Sequence, residues 1–264
     1  MDITISVAFP AGNTTILVQT PIPQSDCADV ANRLLALPSV HAEQVGFLVP
    51  PRMGGAVRLE MMGGEFCGNA LRSAALWYIC EHALPGKQTV LTEISGTREP
   101  LPVDYDPATG IVTARMPLPE SVGECEIAGV RLPAVCFEGI VHVIANRPAN
   151  WLTDDETRAA LREVAAHYNK GAAGLLFVDP EKDTMRPAVY VAGTDTLTRE
   201  NSCASGTAAV AAFAFGDKAE GEHTLTLHQP GGSLTATATV AGGHLTGLTL
   251  GGTVSLTDDI LAII

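Results

Sequence analysis

Two cysteines of this chain stand in settings that repeat. Glu65-Phe66-Cys67-Gly68-Asn69-Ala70 and Glu200-Asn201-Ser202-Cys203-Ala204-Ser205-Gly206-Thr207-Ala208 each place a carboxylate two or three residues before a thiol. Small residues follow each thiol, and an apolar helical pattern begins there. Each sulfur is therefore expected at a helix N-terminus, where aligned peptide dipoles and free N–H groups favour a thiolate and also bind an anion such as a carboxylate. If an amino-acid carboxylate docked on such N–H groups, removal of its α-proton would push negative charge toward preorganised donors, which lowers the barrier. One cysteine would have to be a thiolate that accepts the proton, and the other a thiol that delivers one to the opposite face. The centre would then invert without a cofactor. The two cysteines lie 203 − 67 = 136 residues apart, about half the chain, so two similar halves would aim two sulfurs at one cleft.

The elements around the cysteines repeat in the same order. The first half reads as strands over 3–9 and 14–20 with a turn at Pro10-Ala11-Gly12-Asn13, then a helix from about Asp26 to Leu37. Strands over 44–49 and 57–61 lead to the Cys67 motif, a helix to about His82, and strands over 89–94, 101–105 and 111–116. The second half has strands over 131–137 and 141–145, then a helix over 154–167 whose Thr153…Glu156 spacing fits a capping box. Strands over 175–178 and 188–191 precede the Cys203 motif, and its helix runs from Ala204 to about Phe215. Strands over 224–228, 234–240 and 245–250 follow, with Gly242-Gly243 as a hairpin turn. The Ala204–Phe215 helix is apolar on every face, so it should be enclosed on all sides. The expected fold is α+β, with two pseudo-symmetric lobes that each wrap a curved, mostly antiparallel sheet around a central helix. The lobes are placed at 1–119, completed by the tail 253–264, and at 120–252; a single α+β domain is the alternative.

Composition narrows the function classes. Across 264 residues the formal net charge is −13 with no basic stripe, which argues against a nucleic-acid partner. No apolar run reaches the roughly 18 residues of a membrane helix, and Met1-Asp2-Ile3-Thr4 has no signal-peptide character. The expectation is a cytoplasmic protein that keeps its cysteines reduced. Cys27, Cys80, Cys125 and Cys136 read as small hydrophobes. The six cysteines form no Cys-x-x-Cys pair, so no structural metal is expected. Lys87, Lys170, Lys182 and Lys218 are the only lysines, and none has a setting that suggests a Schiff base with pyridoxal phosphate. No cofactor is expected, and the sequence leaves open whether the chain acts as a homodimer.

The two cysteine motifs resemble those of the cofactor-independent diaminopimelate epimerase family, and the repeated order fits that family's fold along essentially the whole chain. Gly12-Asn13-Thr14-Thr15-Ile16-Leu17-Val18, Glu43-Gln44-Val45-Gly46-Phe47, Gly64 through Ala70, Glu200 through Ala208 and His228-Gln229-Pro230-Gly231-Gly232-Ser233 are similar to its histidine racemase branch, which serves staphylopine-type metallophore pathways. The resemblance implies Cys67 and Cys203 as base and acid on a small amino-acid substrate, with carboxylate-binding N–H groups from Gly68, Asn69, Ala204 and Ser205. It implies Glu200 for the substrate ammonium and Glu65 as a second carboxylate. Asn13 and Gln44 fall at substrate-contacting amides, and His142 falls beside the thiols. Diaminopimelate epimerases carry Gly-Asn-Pro-His where this chain has Gly139-Ile140-Val141-His142. A polar partner for a second amino-acid head is thus missing, and charges buried there would be unpaired. That disfavours diaminopimelate and favours a single-headed amino acid, histidine above others.

Other readings of the same residues stand beside these. Asn13 serves a turn equally well, Gln44 a solvated strand end, His142 a core hydrogen bond, and His228 through Gly232 a turn. A cysteine hydrolase or acyltransferase would need one cysteine with His142 or His228 as base, and an amino-acid-binding protein would need neither thiol. An epimerase of diaminopimelate or a racemase of another amino acid shares the two-thiol chemistry. With two thiols, the free enzyme should be prone to an inactivating Cys67–Cys203 disulfide.

Overall fold

Parallel strand pairs need a helix to return the chain, whereas antiparallel pairs need only a turn, and this rule orders the chain. The computed structural model describes residues 1–193 and 195–264. It divides into two compact units, Met1–Arg115 with Gly251–Ile264, and Met116–Leu250.

The first unit contains β1 (Asp2–Pro10), β2 (Thr15–Val18), α1 (Cys27–Leu35), β3 (Gln44–Val49), β4 (Val57–Met61), α2 (Gly68–Glu81), β5 (Gln88–Ile94), β6 (Leu101–Asp106) and β7 (Ile111–Arg115). β1 and β2 pair antiparallel across a turn in which Ala11 and Gly12 take φ values of 52° and 79°. β2 pairs parallel with β3 across α1, and β4 pairs parallel with β5 across α2. The remaining neighbours β3–β4, β5–β6 and β6–β7 are antiparallel. Alternation of side chains along the strands gives the sheet two apolar faces. Ala70, Leu71, Ala74, Ala75 and Ile79 of α2 pack with Leu17, Leu59, Ile94 and Val103 on one face. Val30, Ala31 and Leu34 of α1 pack with Ile3, Ile5, Ile16 and Val45 on the other.

The second unit contains β8 (Ser121–Ile127), β9 (Val130–Cys136), β10 (Ile140–Ala145), α3 (Asp154–Tyr168), β11 (Ala172–Asp179), β12 (Thr184–Val191), β13 (Thr196–Arg199), α4 (Ala204–Phe215), β14 (Gly221–Gln229), β15 (Gly232–Ala241) and the start of β16 (His244–Leu256). The pairing repeats that of the first unit. β10 runs parallel to β11 across α3, and β12 meets β14 in parallel at Thr184 and His228 across α4. The pairs β8–β9, β9–β10, β11–β12 and β14–β15 are antiparallel. α3 starts with the expected capping box: Thr153 Oγ1 accepts from the Glu156 N–H, and the Glu156 carboxylate accepts from the Thr153 N–H. Its Leu161, Val164 and Ala165 pack on Val141, Val143, Leu175 and Phe177. α4 is buried over nearly all of Ala204–Ala212 and surfaces at Phe213, so the enclosure expected on every face ends one turn early. From Gly251 the chain is part of the first unit, where the end of β16 and then β17 (Ile260–Ile263) pair antiparallel with β1.

Three strands escape the sequence reading: β17 lies in the tail expected only to complete the first lobe, and two others lack an apolar signal. β8 has an almost wholly exposed pattern, so no apolar alternation marks it, and β13 is four residues long with only Leu197 apolar. The helix expected over 26–37 starts at its expected cap but ends at Leu35, because the Leu37 N–H turns back to the Leu34 carbonyl and closes a tighter turn instead of a further helical one. Among the described residues, no helix is long and apolar enough to cross a membrane.

The side chain of Glu93 on β5 is withdrawn from water and ties down the approach to β4. It accepts hydrogen bonds from the N–H groups of Arg52 (2.8 Å), Met53 (2.6 Å) and Gly55 (2.9 Å) and from Arg58 Nη1 (3.0 Å). Burial opposes its charge, but these donors outweigh it and bring its pKa down to about 2. The carboxylate therefore contributes its full stability above its ordinary value of 4.5 and loses it as pH falls toward about 2. Glu93→Gln should lower urea stability at neutral pH by about 1.5–3 kcal/mol and flatten the acid loss in that window; unchanged stability at pH 7 would contradict the role given to Glu93.

Candidate active site

Both motif cysteines are helix N-caps in the same conformation. Cys67 precedes α2 with φ −132° and ψ 111°, and its Sγ accepts from the Ala70 N–H at 3.4 Å. Cys203 precedes α4 with φ −123° and ψ 111°, and its Sγ accepts from the Gly206 N–H at 3.4 Å. The N-cap position ordinarily takes an oxygen side chain; here a sulfur rests against the third amide of each helix. Gly68 and Asn69 open α2, and Ala204 and Ser205 open α4. The first amides of a helix have no carbonyl partner within it, so each sulfur lies beside donors suited to an anion.

The two surroundings differ. Cys67 is half-buried, and Ser95 secures the segment leading to it by accepting from the Met61 N–H and donating to the Glu65 carbonyl. Gly96, at φ 74°, admits that segment, since a Cβ there would lie 2.5 Å from the Phe66 nitrogen. Glu65 is exposed as a residue, yet partial withdrawal of its carboxyl from water raises its pKa against hydrogen bonds from its own N–H and that of Gly63. In α2, Asn69 is buried and its Oδ1 accepts from Arg72 Nη2 at 2.8 Å.

Cys203 is buried. Its thiol pKa lies well above the ordinary value because of that burial, with the Glu200 carboxylate adding to the effect and the Ser205 hydroxyl and Gly206 N–H opposing it. Gln229 on β14 fixes the cap from behind: its Oε1 accepts from the Cys203 N–H (2.8 Å) and its Nε2 donates to Thr207 Oγ1 (3.0 Å). Gly206 is required by space, since a Cβ there would lie 2.7 Å from Leu176 and 3.2 Å from Cys203 Sγ.

His142 on β10 is fully buried, and its Nε2 pairs with Ser205 Oγ at 2.8 Å. Ser205 Oγ is in turn 3.6 Å from Cys203 Sγ. Burial holds the imidazole neutral, with a pKa lowered to about 3. In the β10–β11 register His142 faces Gly174. His228, by contrast, is exposed and engaged with Ser233 Oγ at 2.8 Å.

Asn13 and Gln44 meet in the first unit. Gln44 Nε2 donates to Asn13 Oδ1 (2.6 Å) and to Thr15 Oγ1 (2.8 Å), and Asn13 Nδ2 donates to Glu43 Oε2 (2.6 Å). Asn13 thus does more than shape the turn, although its N–H also closes on the Pro10 carbonyl. The structure brings Cys67, Gly68 and Asn69 together at one helix start, and His142, Glu200, Cys203, Ala204 and Ser205 around the other; Asn13 with Gln44 forms a third group. Sequence reasoning missed Gln229, Gly174, Gly206 and Arg72. The first lay in a motif already singled out, and Arg72 stood as a charge inside an apolar helical run.

The family model described as the histidine racemase CntK N-terminal domain matches residues 3–259. A histidine racemase of Fusobacterium nucleatum is 35% identical over 208 residues, covering 76% of this chain and 77% of that protein. A histidine racemase of Staphylococcus aureus is 29% identical over 238 residues, covering 87% and 86%. Among solved structures, a protein of Pseudomonas aeruginosa described as an epimerase aligns over the whole of both chains with a TM-score of 0.69 and 13% identity, which shows a shared fold.

A Cβ on residue 174 would stand 2.3 Å from His142 Nδ1. Gly174→Ala should therefore push the imidazole off Ser205, seen as a changed ring resonance in NMR and a lower thermal midpoint. An unaltered His142 resonance in the folded variant would refute this account of the Gly174–His142 contact.

Proposed function

The chain belongs to the histidine racemase CntK family, and from that premise we propose that it interconverts L- and D-histidine with two cysteine thiols and no cofactor. The observation that carries this reading is the pair of sulfur caps: Cys67 and Cys203 each rest against the third amide of a helix in one shared conformation. Racemisation needs a base on one face of the α-carbon and an acid on the other. The thiolate takes the α-proton, so that a Cα–H bond breaks and an S–H bond forms. The other thiol gives up its proton to the opposite face as the electron pair returns to Cα. Meanwhile the charge that moves into the substrate carboxylate is held by amides of Gly68, Asn69, Ala204 and Ser205, donors whose orientation is fixed before the reaction. Glu200 receives the substrate ammonium, with Glu65 a second carboxylate, and Asn13 and Gln44 contact the substrate through their amides.

His142 orients Ser205 rather than serving as a base. Its pKa near 3 leaves it neutral at working pH, and its Nε2 is occupied by the Ser205 hydroxyl. This works against His142 as the base of a cysteine hydrolase, which requires a histidine that can accept the nucleophile's proton. The motif resemblance supports D-histidine as a building block for an opine-type metallophore. A reaction that depends on free thiols also favours a reducing compartment, the cytoplasm.

Purified protein incubated with L-histidine should yield D-histidine on chiral chromatography, and D-histidine should yield the L form. Cys67→Ala and Cys203→Ala should each lower turnover by about 10²–10⁴-fold. Turnover of diaminopimelate or another amino acid with none of histidine would overturn the substrate assignment. Full activity in either cysteine variant would overturn the two-thiol scheme.

A further inference from the structure

Among the described residues, Arg72 is the largest fully buried side chain, and it lies on α2 five residues after Cys67. Its guanidinium donates to Asn69 Oδ1 (2.8 Å), the Gly252 carbonyl (2.9 Å) and the Val112 carbonyl (3.4 Å), and its Nε is buried without a partner. None of these partners is an anion. An arginine enclosed in this way is ordinarily paired with a carboxylate, because a lone buried charge costs several kcal/mol. Its place near a helix N-terminus adds to the cost, since that end of the helix already carries positive charge.

Among the described residues, the charged groups on the elements packed against α2 do not supply the missing anion. Glu93 and Glu60 are engaged by Arg58, and Glu93 also by the amides of the 52–55 segment. Asp104 bonds Thr89, and Asp106 bonds Lys87. Asp2 and Arg115 are exposed, as is Glu81 at the far end of α2 itself. Glu65 shows no pairing with the guanidinium, and its carboxyl is shifted toward the neutral form. The ionisable group at the start of the same helix is the Cys67 sulfur, which caps the Ala70 N–H next to the Asn69 whose side chain accepts from the guanidinium; its charge opposes the burial that lowers the guanidinium pKa to about 10. α4 has nothing comparable. The residue five positions after Cys203 is Ala208, the Gln229 amide holds the helix cap, and the charged group beside the sulfur is the Glu200 carboxylate, which disfavours a thiolate there.

We propose that Arg72 is the built-in counter-cation of a Cys67 thiolate, so that the resting protein carries its charged sulfur at Cys67 and a neutral thiol at Cys203. This rests on the reading of both cysteines as acid and base, and it makes Arg72 a positioning residue that acts through the Cys67 cap and the Asn69 amide. In the forward sense Cys67 is then the base of the first turnover. The proton it gains and the one Cys203 loses exchange the roles for the return reaction.

The test uses the full-length wild type, Arg72→Met and Arg72→Lys, each checked for folding by circular dichroism. Alkylation by iodoacetamide is followed from about pH 5 to pH 10, a range that spans ordinary thiols, and the Cys67 and Cys203 peptides are quantified by mass spectrometry. In the wild type the midpoint for Cys67 should lie below the ordinary thiol value of about 8.5 and that for Cys203 above it. Arg72→Met should raise the Cys67 midpoint by about one pH unit or more, a tenfold loss of thiolate at neutral pH, and Arg72→Lys should restore most of it. An unmoved Cys67 midpoint in folded Arg72→Met overturns the proposal. Should that variant not fold, a wild-type Cys67 midpoint at or above that of Cys203 does so. The readout needs no turnover, so a failure to racemise histidine would count against the proposed reaction while the alkylation profile still decides on Arg72.

Discussion

The structure depends on a sulfur placed where a helix normally takes an oxygen. At an N-cap the side chain must be short, must accept a hydrogen bond and must leave the backbone extended. Cysteine meets these conditions weakly, and both Cys67 and Cys203 reach only 3.4 Å from the amide they cap. A neutral thiol is a poor acceptor and a thiolate a good one, so the cap strengthens as the sulfur ionises. The same bond that closes the helix therefore links a proton on sulfur to the helix start.

The rest of each unit supports that position. A parallel strand pair flanks each helix, and such a pair obliges the chain to cross the sheet through a helix. α2 and α4 therefore begin just beyond β4 and β13 and are covered along most of their length. Burial removes freedom from the caps but does not make them alike. At α4, amide and hydroxyl groups of Gln229, Thr207 and Ser205 hold the cap, and burial with the Glu200 carboxylate keeps the thiol protonated. At α2, a buried guanidinium on the same helix donates to Asn69. A two-thiol acid/base pair needs such inequality, because groups with the same proton affinity would share one state in the free protein.

The cysteine motifs were legible in the sequence because helix starts have a local signature: a polar or acidic lead-in, small residues, then apolar periodicity. α2, α3 and α4 stand within about a residue of their expected places for the same reason, and the resemblance of the motifs to a racemase family agrees with the family match over residues 3–259. What stayed hidden depended on tertiary partners. Gln229 sits in a stretch that reads as a turn, and only the fold brings its amide to the Cys203 N–H. Gly174 looks like any strand glycine until the β10–β11 register sets it against His142. β8 was missed because its exposed residues carry no apolar alternation, and α1 was overextended because Pro38 suggested a later stop than the tight turn that the Leu37 N–H closes on the Leu34 carbonyl.

The central claim is that two different sulfurs serve the two faces of one carbon, and isotope bookkeeping during the first fraction of a turnover tests it most directly. Thiols exchange with solvent, so in deuterated water each acid begins as S–D. When L-histidine is supplied and the reaction is stopped early, mass analysis of the separated enantiomers should find deuterium at Cα of the D-histidine formed and almost none in the remaining L-histidine. Equal labelling of both enantiomers, or unlabelled D-histidine produced by one group returning the proton it removed, would contradict the account.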